Sequence, residues 1–167
     1  GIDFAEFDRV RRGALSDEAA WVAEFGQSRD VSELGVERNV FRYRPVPVTL
    51  RLSQGAPLGH LIRLIAAGSL ANSPLTISSA VPLPTALVES FSDPIPSANV
   101  RSVVVESDEA WLARAPELSG RVRLIDGDAL ALAQAVGGNP DVAIYSGPVT
   151  TEGRVELLTF LHEQAVS

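Results

Sequence analysis

Asp126 and Asp128 flank Gly127 at the end of the strand-like run RVRLI. A carboxylate at the C-terminal end of a strand can hold a ribose or a metal ion. The same pair serves equally well as a helix N-cap with a second acid against the helix dipole, and that structural reading is the stronger. The turn LSQGAPLG at 52–59 follows a strand and opens a helix, so its backbone N–H groups could receive an anion. It lacks the G-x-G-x-x-G spacing of a dinucleotide fingerprint, and Arg63 is the only base on the helix it opens. His60 lies on that apolar helix and His162 sits beside Glu163 near the end of the chain. No Ser-His-Asp or paired-histidine spacing connects them, so both read as packing or surface residues. Trp21 and Trp111 read as helix packing residues. Arg38, Arg42, Arg44 and Arg51 form a basic stretch, either a solvated strand face or a surface that docks on an acidic partner or adds a strand to it. The Gly-bounded segment SGPVTTEGR at 146–154 is either a ligand-wrapping loop or a plain strand-to-helix connection.

Composition narrows the chemistry further. All 14 basic residues are Arg, and the chain has no Cys and no Met. Thiolate metal sites, thiol nucleophiles and disulfides are therefore excluded, as are Schiff-base and P-loop lysines. The lack of Met predicts a processed or cut N-terminus. The formal net charge of −7 argues against nucleic acid or an anionic membrane as the main partner. No apolar run reaches the roughly 20 residues of a transmembrane span, and the acidic start excludes a signal peptide, which predicts a cytoplasmic protein. At 167 residues, 46% of them hydrophobic, one domain with an ordinary core is expected.

The elements that must position these residues follow from periodicity. Phe4, Phe7 and Val10 predict one face of a helix stopped by Gly13, and Ser16 is a candidate N-cap for a second helix carrying Trp21, Val22 and Phe25 to Gly26. Together they predict a short helical hairpin, followed by a polar loop over 27–37. From Asn39 the period becomes two: Phe41 and Tyr43 alternate with Arg42 and Arg44. Pro45 and Pro47 then predict an edge strand or an extended arm. Beyond them strands at 47–52, 75–79, 101–106, 121–125 and 141–145 alternate with helices at 57–70, 84–91, 108–114, 127–136 and 151–165. The helix at 57–70 is apolar nearly all round, with Arg63 as its only formal charge, which predicts burial on more than one side. The fold expected is α/β and Rossmann-like: a mostly parallel sheet with helices on both faces, preceded by a helical segment (1–37) and an extended arm with the first core strand (38–52), the α/β part occupying 53–167.

The stretch from Tyr43 to Phe160 resembles the cofactor-binding half of an aldehyde dehydrogenase. RYRPVPVTLRLSQGAPLGHL has the layout of that family's arm, strand and P-W-N-F-P-L helix start. IAAGSLANSPLTISSAVPLPTAL follows its G-N-x-V-V-x-K-P-S-E-x-T-P segment. RLIDGD and NPDVAIYSGPVTTEGR match its G-D and H-P-D-V…F-T-G-S-T-x-x-G-R motifs. The departures fall on the chemistry. The family's oxyanion Asn aligns with Gly55, the Lys that holds the adenosine ribose with Ser78, and the neighbouring Glu with Val81. G-S-T becomes Gly147–Pro148–Val149, where Pro148 has no N–H to offer.

GVERNVFRYRPVPV and SGPVTTEGRVELLTFLHEQAVS are closer still to the C-terminal domain of long PutA proteins, bifunctional proline dehydrogenase/L-glutamate γ-semialdehyde dehydrogenases, or of related actinobacterial-type fusions. That resemblance implies a non-catalytic aldehyde-dehydrogenase-like domain. It would pack on the catalytic aldehyde dehydrogenase domain of the same polypeptide and help enclose the path of the intermediate. FAD and NAD would belong to the parent enzyme, with no cofactor, metal or catalytic residue here. The arm residues Arg38, Phe41, Arg42, Tyr43 and Arg44 are the expected docking element. Two other functions remain open at this point: a module that binds a nucleotide or small anion, and a homodimerisation module that uses the arm.

Overall fold

The structure, a computed structural model, describes residues 1–30, 33, 39–92 and 98–166. Asp3 opens α1 (Phe4–Ala20) with a capping box: its carboxylate accepts the Glu6 N–H and Glu6 reaches back to the Asp3 N–H. The helix does not stop at Gly13. It runs on as one piece and ends in a π-helical turn, Trp21–Phe25, before Gly26. The expected hairpin is therefore one long helix, and Gly13 and Ser16 have other tasks, described below. Nor is the predicted apolar face a buried one: Phe4 is 82% exposed and Phe7 54%.

Two sheets follow. Five parallel strands, β3 (Val48–Leu52), β4 (Leu75–Ser79), β5 (Val100–Val105), β6 (Gly120–Ile125) and β7 (Val142–Tyr145), lie in the order β5-β4-β3-β6-β7. β3 is central, in register with Ser78 through Arg51 on one side and with Leu124 through Arg51 on the other. Helices cover both faces, as the βα alternation predicts. α2 (Leu58–Leu70) and α6 (Gly153–Phe160) bury Leu61, Leu64, Leu157 and Phe160 against Leu50, Ile77 and Ile125 on one face. α4 (Asp108–Ala113) and α5 (Ala129–Ala135) bury Trp111 and Leu132 against Val122 and Leu124 on the other. α1 packs on α2 and α6 as an outer layer. α3 (Thr85–Ser90) starts after Pro84.

The second sheet is antiparallel, in the order β1 (Ser28–Asp30), β2 (Val40–Pro45), β8 (Leu161–Val166). Three expectations are corrected here. The region taken as loop contains β1. The last predicted helix, 151–165, ends at Phe160, and the chain passes straight into β8. β2 is the central strand of its sheet rather than an edge. Pro45 is its last residue and Pro47 lies beyond it, so neither missing N–H interrupts the ladder. Among the described residues no helix is long and apolar enough to cross a membrane.

Candidate functional site

In this strand order the chain leaves β3 to one side and returns on the other at β6. The crevice beyond the C-terminal ends of β3 and β6 is therefore the place where an open α/β sheet receives a ligand. The cavity at these strand ends is lined by Ser53, Gln54, Leu124, Asp126, Gly127 and Asp128, with Asp108 and Trp111 from the neighbouring helix. The three segments that the family resemblance points to follow β3, β4 and β7: the turn 53–57, the end of β4, and the connection 146–152.

At the first, the Ser53 N–H donates to the Ile125 carbonyl at 3.3 Å, closing the turn across the crevice. Gly55 takes φ +80°, a left-handed conformation, with open space where a Cβ would stand. Helix α2 has no side-chain cap of its own at Pro57. Its first turn instead donates to another helix: the Gly59 N–H reaches Glu6 Oε1 at 3.2 Å. A Cβ on Gly59 would stand 3.0 Å from Glu6 Cβ, so glycine permits this approach. The chain's own carboxylate thus occupies the positive end of the helix that follows the first core strand. His60 lies alongside, its Nε2 3.4 Å from Arg9 Nη1. Its Nδ1 is 3.7 Å from Asp126 Oδ2, too far for a hydrogen bond. Asp126 holds φ +52° at the end of β6, and Asp128 caps α5 through the Ala131 N–H at 2.9 Å, the structural role expected of it.

The end of β4 is filled from below. Arg51 is fully buried, not part of a solvated arm as its place in the basic stretch suggested, because it alternates inward on the central strand. Its guanidinium donates to Ser78 Oγ at 2.7 Å, to the Glu106 carbonyl at 3.1 Å and to Asp108 at 2.6 Å. Ser78 donates in turn to Glu106 Oε1 at 2.6 Å, and Arg114 closes the group on the same carboxylate. Hydrogen bonding from Arg114, with Ser78 adding to it, holds the Glu106 carboxyl below its ordinary value against the opposing effect of burial. Both guanidinium groups lie over the ring of Trp111, Arg51 at 5.3 Å and Arg114 at 4.8 Å from its centroid. Val81 is half-buried, its carbonyl accepting from Ser79 Oγ.

The third segment presents oxygens inward. The carbonyls of Gly147 and Pro148 accept from Arg123 at 2.6 and 3.3 Å, and that of Thr150 accepts from Arg63 at 3.1 Å. Both arginines are buried with acidic partners: Arg123 with Glu156 at 3.2 Å, and Arg63 with Asp17 at 2.6 and 2.8 Å. Glu156 also accepts the Thr150 N–H. Burial pushes the Asp17 carboxyl above its ordinary value, Arg63 pulls it back, and Glu156 adds to the push. Ser16, read as an N-cap, instead accepts the Gly153 N–H at 2.9 Å and joins α1 to α6.

No group of three or more His, Cys, Asp or Glu among the described residues could hold a metal ion. The structure does not bring His162 to the crevice: it pairs in register with Arg44 in the antiparallel sheet. The arm residues lie in β2, except Arg38, which is outside the described residues. Arg42 donates to Gln164 at 2.8 Å, and Tyr43 packs edge-on against Phe25 and Phe41 while its hydroxyl donates to Glu24 at 3.2 Å. Burial and the Glu24 carboxylate raise the Tyr43 hydroxyl's pKa. Sequence reasoning missed Glu6, Glu106 and Arg123. The lone charge at Arg63 in an apolar helix was the one signal that a buried partner was required.

The chain matches no protein-family model and no curated protein. It is similar to a solved structure of Proline Utilization A (PutA) from Corynebacterium freiburgense, with a TM-score of 0.59 and 26% identity over 99% of its own length. It spans 14% of that PutA chain, so the likeness is that of a PutA-related domain within a much longer polypeptide.

Proposed function

We propose that this chain is a non-catalytic structural domain of a proline-catabolic oxidoreductase. It packs on the NAD-dependent glutamate semialdehyde dehydrogenase module of the same polypeptide and helps enclose the intermediate's path. The observation that carries this reading is that the chain's own groups engage each of the three segments. Glu6 sits on the start of α2, Arg51 and Glu106 engage Ser78, and Arg123 holds the carbonyls of 147–148. A dinucleotide needs N–H groups and a positive helix end for its phosphates, and acceptors for its ribose. Here the Gly59 and Thr150 N–H groups are engaged by Glu6 and Glu156, and the carbonyls of 147, 148 and 150 by Arg123 and Arg63. The PutA likeness supports the placement in proline catabolism.

Calorimetry with NAD, NADP and AMP tests the reading, together with a turnover assay of glutamate semialdehyde and NAD. The chain alone is expected to bind none of the three and to oxidise nothing. Micromolar binding of any of them would move the assignment to a nucleotide-binding module.

A further inference from the structure

Helix α1 carries Arg9, Arg11 and Arg12 close together, in a chain whose formal net charge is −7. The three share one paired carboxylate: Asp8 meets Arg11 and Arg12, both at 2.9 Å. Glu6, one turn earlier, is spent on the Asp3 and Gly59 N–H groups. No ion pair among the described residues involves Arg9, whose partner is His60 Nε2 at 3.4 Å. A guanidinium only donates, so that nitrogen accepts, the imidazole is neutral, and the charge of Arg9 stays unmatched.

Arg9 and Arg12 are three positions apart and therefore share one side of the helix. Between them and the 146–152 connection is a cavity of about 340 Å³, lined by Arg9, Arg12, Val149, Thr150, Thr151 and Glu152. Arg11 is not part of its wall. Val149 is buried. The Thr150 hydroxyl accepts the Glu152 N–H and keeps its own proton to donate. The Thr151 hydroxyl and the Glu152 carboxylate have no partner among the described residues, and Glu152 leaves the start of α6 without a side-chain cap. The wall thus offers two cations, one anion and two hydroxyls around a volume in the range of small-molecule sites. Its complement is a small molecule with two carboxylates and one ammonium. Guanidinium matches carboxylate in charge and in shape. A phosphate or a plain dicarboxylate brings no donor for Glu152, and a diamine brings no acceptor for the arginines.

We infer that the cavity between α1 and the 146–152 connection binds an α-amino dicarboxylate, its carboxylates on Arg9 and Arg12 and its ammonium on Glu152. The site stands on these charges alone. That its natural ligand is the product of the oxidoreductase rests on the proposed function, since oxidising the aldehyde of glutamate semialdehyde leaves a molecule of this class. Calorimetry of the 167-residue chain with L-glutamate tests the site, at low ionic strength because exposed charges are screened by salt. Saturable binding with a Kd on the order of 1 mM is expected. Glutarate, which lacks the ammonium, and L-glutamine, which lacks the second carboxylate, should each bind about tenfold more weakly. Arg9→Gln and Arg12→Gln should each weaken L-glutamate binding about tenfold, and Glu152→Gln should erase the preference over glutarate. Arg11→Gln removes the same charge from the same helix outside the cavity and should leave the affinity unchanged. Circular dichroism melts verify that each variant is folded. Absence of saturable binding, equal affinity for glutarate, or equal losses in Arg11→Gln and Arg12→Gln overturns the inference, the last two by reducing the site to a diffuse cationic surface. The proposed function is decided separately, by the nucleotide calorimetry and the turnover assay.

Discussion

Arg63 and Asp17, 46 positions apart in sequence, meet in a buried two-point ion pair, the guanidinium nitrogens lying 2.6 and 2.8 Å from the carboxylate oxygens. Gly13 makes the room: a Cβ there would stand 2.1 Å from Arg63 Nε. The pair fastens the outer helix to α2, and through the Thr150 carbonyl it also fastens the 146–152 connection.

Removing one partner strands the other charge. Asp17→Ala and Arg63→Ala are each expected to cost about 3–5 kcal/mol of folding stability, as for other broken buried pairs. In a chain of this size that lowers the melting temperature by roughly 10 °C. Replacing both, as Asp17→Leu with Arg63→Met, should recover most of the loss, because no charge remains to be desolvated. Gly13→Ala should resemble the single variants, since Arg63 is held at both ends and cannot swing aside. Urea unfolding of the five proteins checks the pattern, and additivity of the two single losses in the double variant would refute it.

The Glu106 group makes a prediction about acid. Its carboxyl titrates lower in the folded than in the unfolded chain. Its contribution is therefore fully present above the unfolded value, about 4.3, and is lost as pH falls through the lower folded one. Asp17, raised by burial, has the opposite slope, so total stability is a poor readout. The diagnostic is the difference between the native chain and Glu106→Gln. It should shrink steadily between about pH 5 and pH 3. A difference that stays constant over that range would mean that Glu106 contributes through shape alone.

How much of this was legible in the sequence depends on the range of the interaction. The five parallel strands and their helices were, because period-two and period-3.6 patterns are local. Asp128 as a cap was legible for the same reason. The continuity of α1 was not: Gly13 and Gly26 look alike as helix breakers, and only contact with Arg63 makes the first one a packing glycine. β8 was missed because its fate is set by pairing with β2, from Val40–Val166 to Pro45–Leu161, more than a hundred residues earlier in the chain. The family resemblance singled out Ser78 and Pro148. That Arg51 and Arg123 fill the space beside them could not be read from it, since arginine on a strand ordinarily implies solvent.

Glu6 ties two helix starts together. Its Oε2 accepts from Asp3 in the capping box of α1 and its Oε1 accepts from Gly59 in the first turn of α2. Glu6→Ala should cost about 1–2 kcal/mol, a cap and a dipole partner at once. It should not create nucleotide binding, because the groups around Ser78 and Gly147 remain engaged. Thermal melts and NAD calorimetry on the same variant separate the two effects. Tight NAD binding by Glu6→Ala would show that a single carboxylate closes the crevice.

Arg121 holds the junction between the two sheets. It lies on β6, and its Nη1 donates to the carbonyls of Leu158, Thr159 and Leu161, where α6 passes into β8 without a turn. Those carbonyls lack the helical partners they would have if α6 continued. The link between β2 and β3 meets the same junction: the Val46 N–H donates to the Phe160 carbonyl at 2.9 Å. Arg121→Gln leaves at most one of the three bonds, so β8 and its pairing with β2 should loosen while the parallel sheet keeps its own ladder. Hydrogen exchange reads this directly. Amides of 40–45 and 161–166 should exchange at least tenfold faster in the variant, with those of 48–52 and 122–125 unchanged. Equal acceleration in both sheets would instead make Arg121 a general contributor to stability, and the antiparallel sheet an inseparable part of the core.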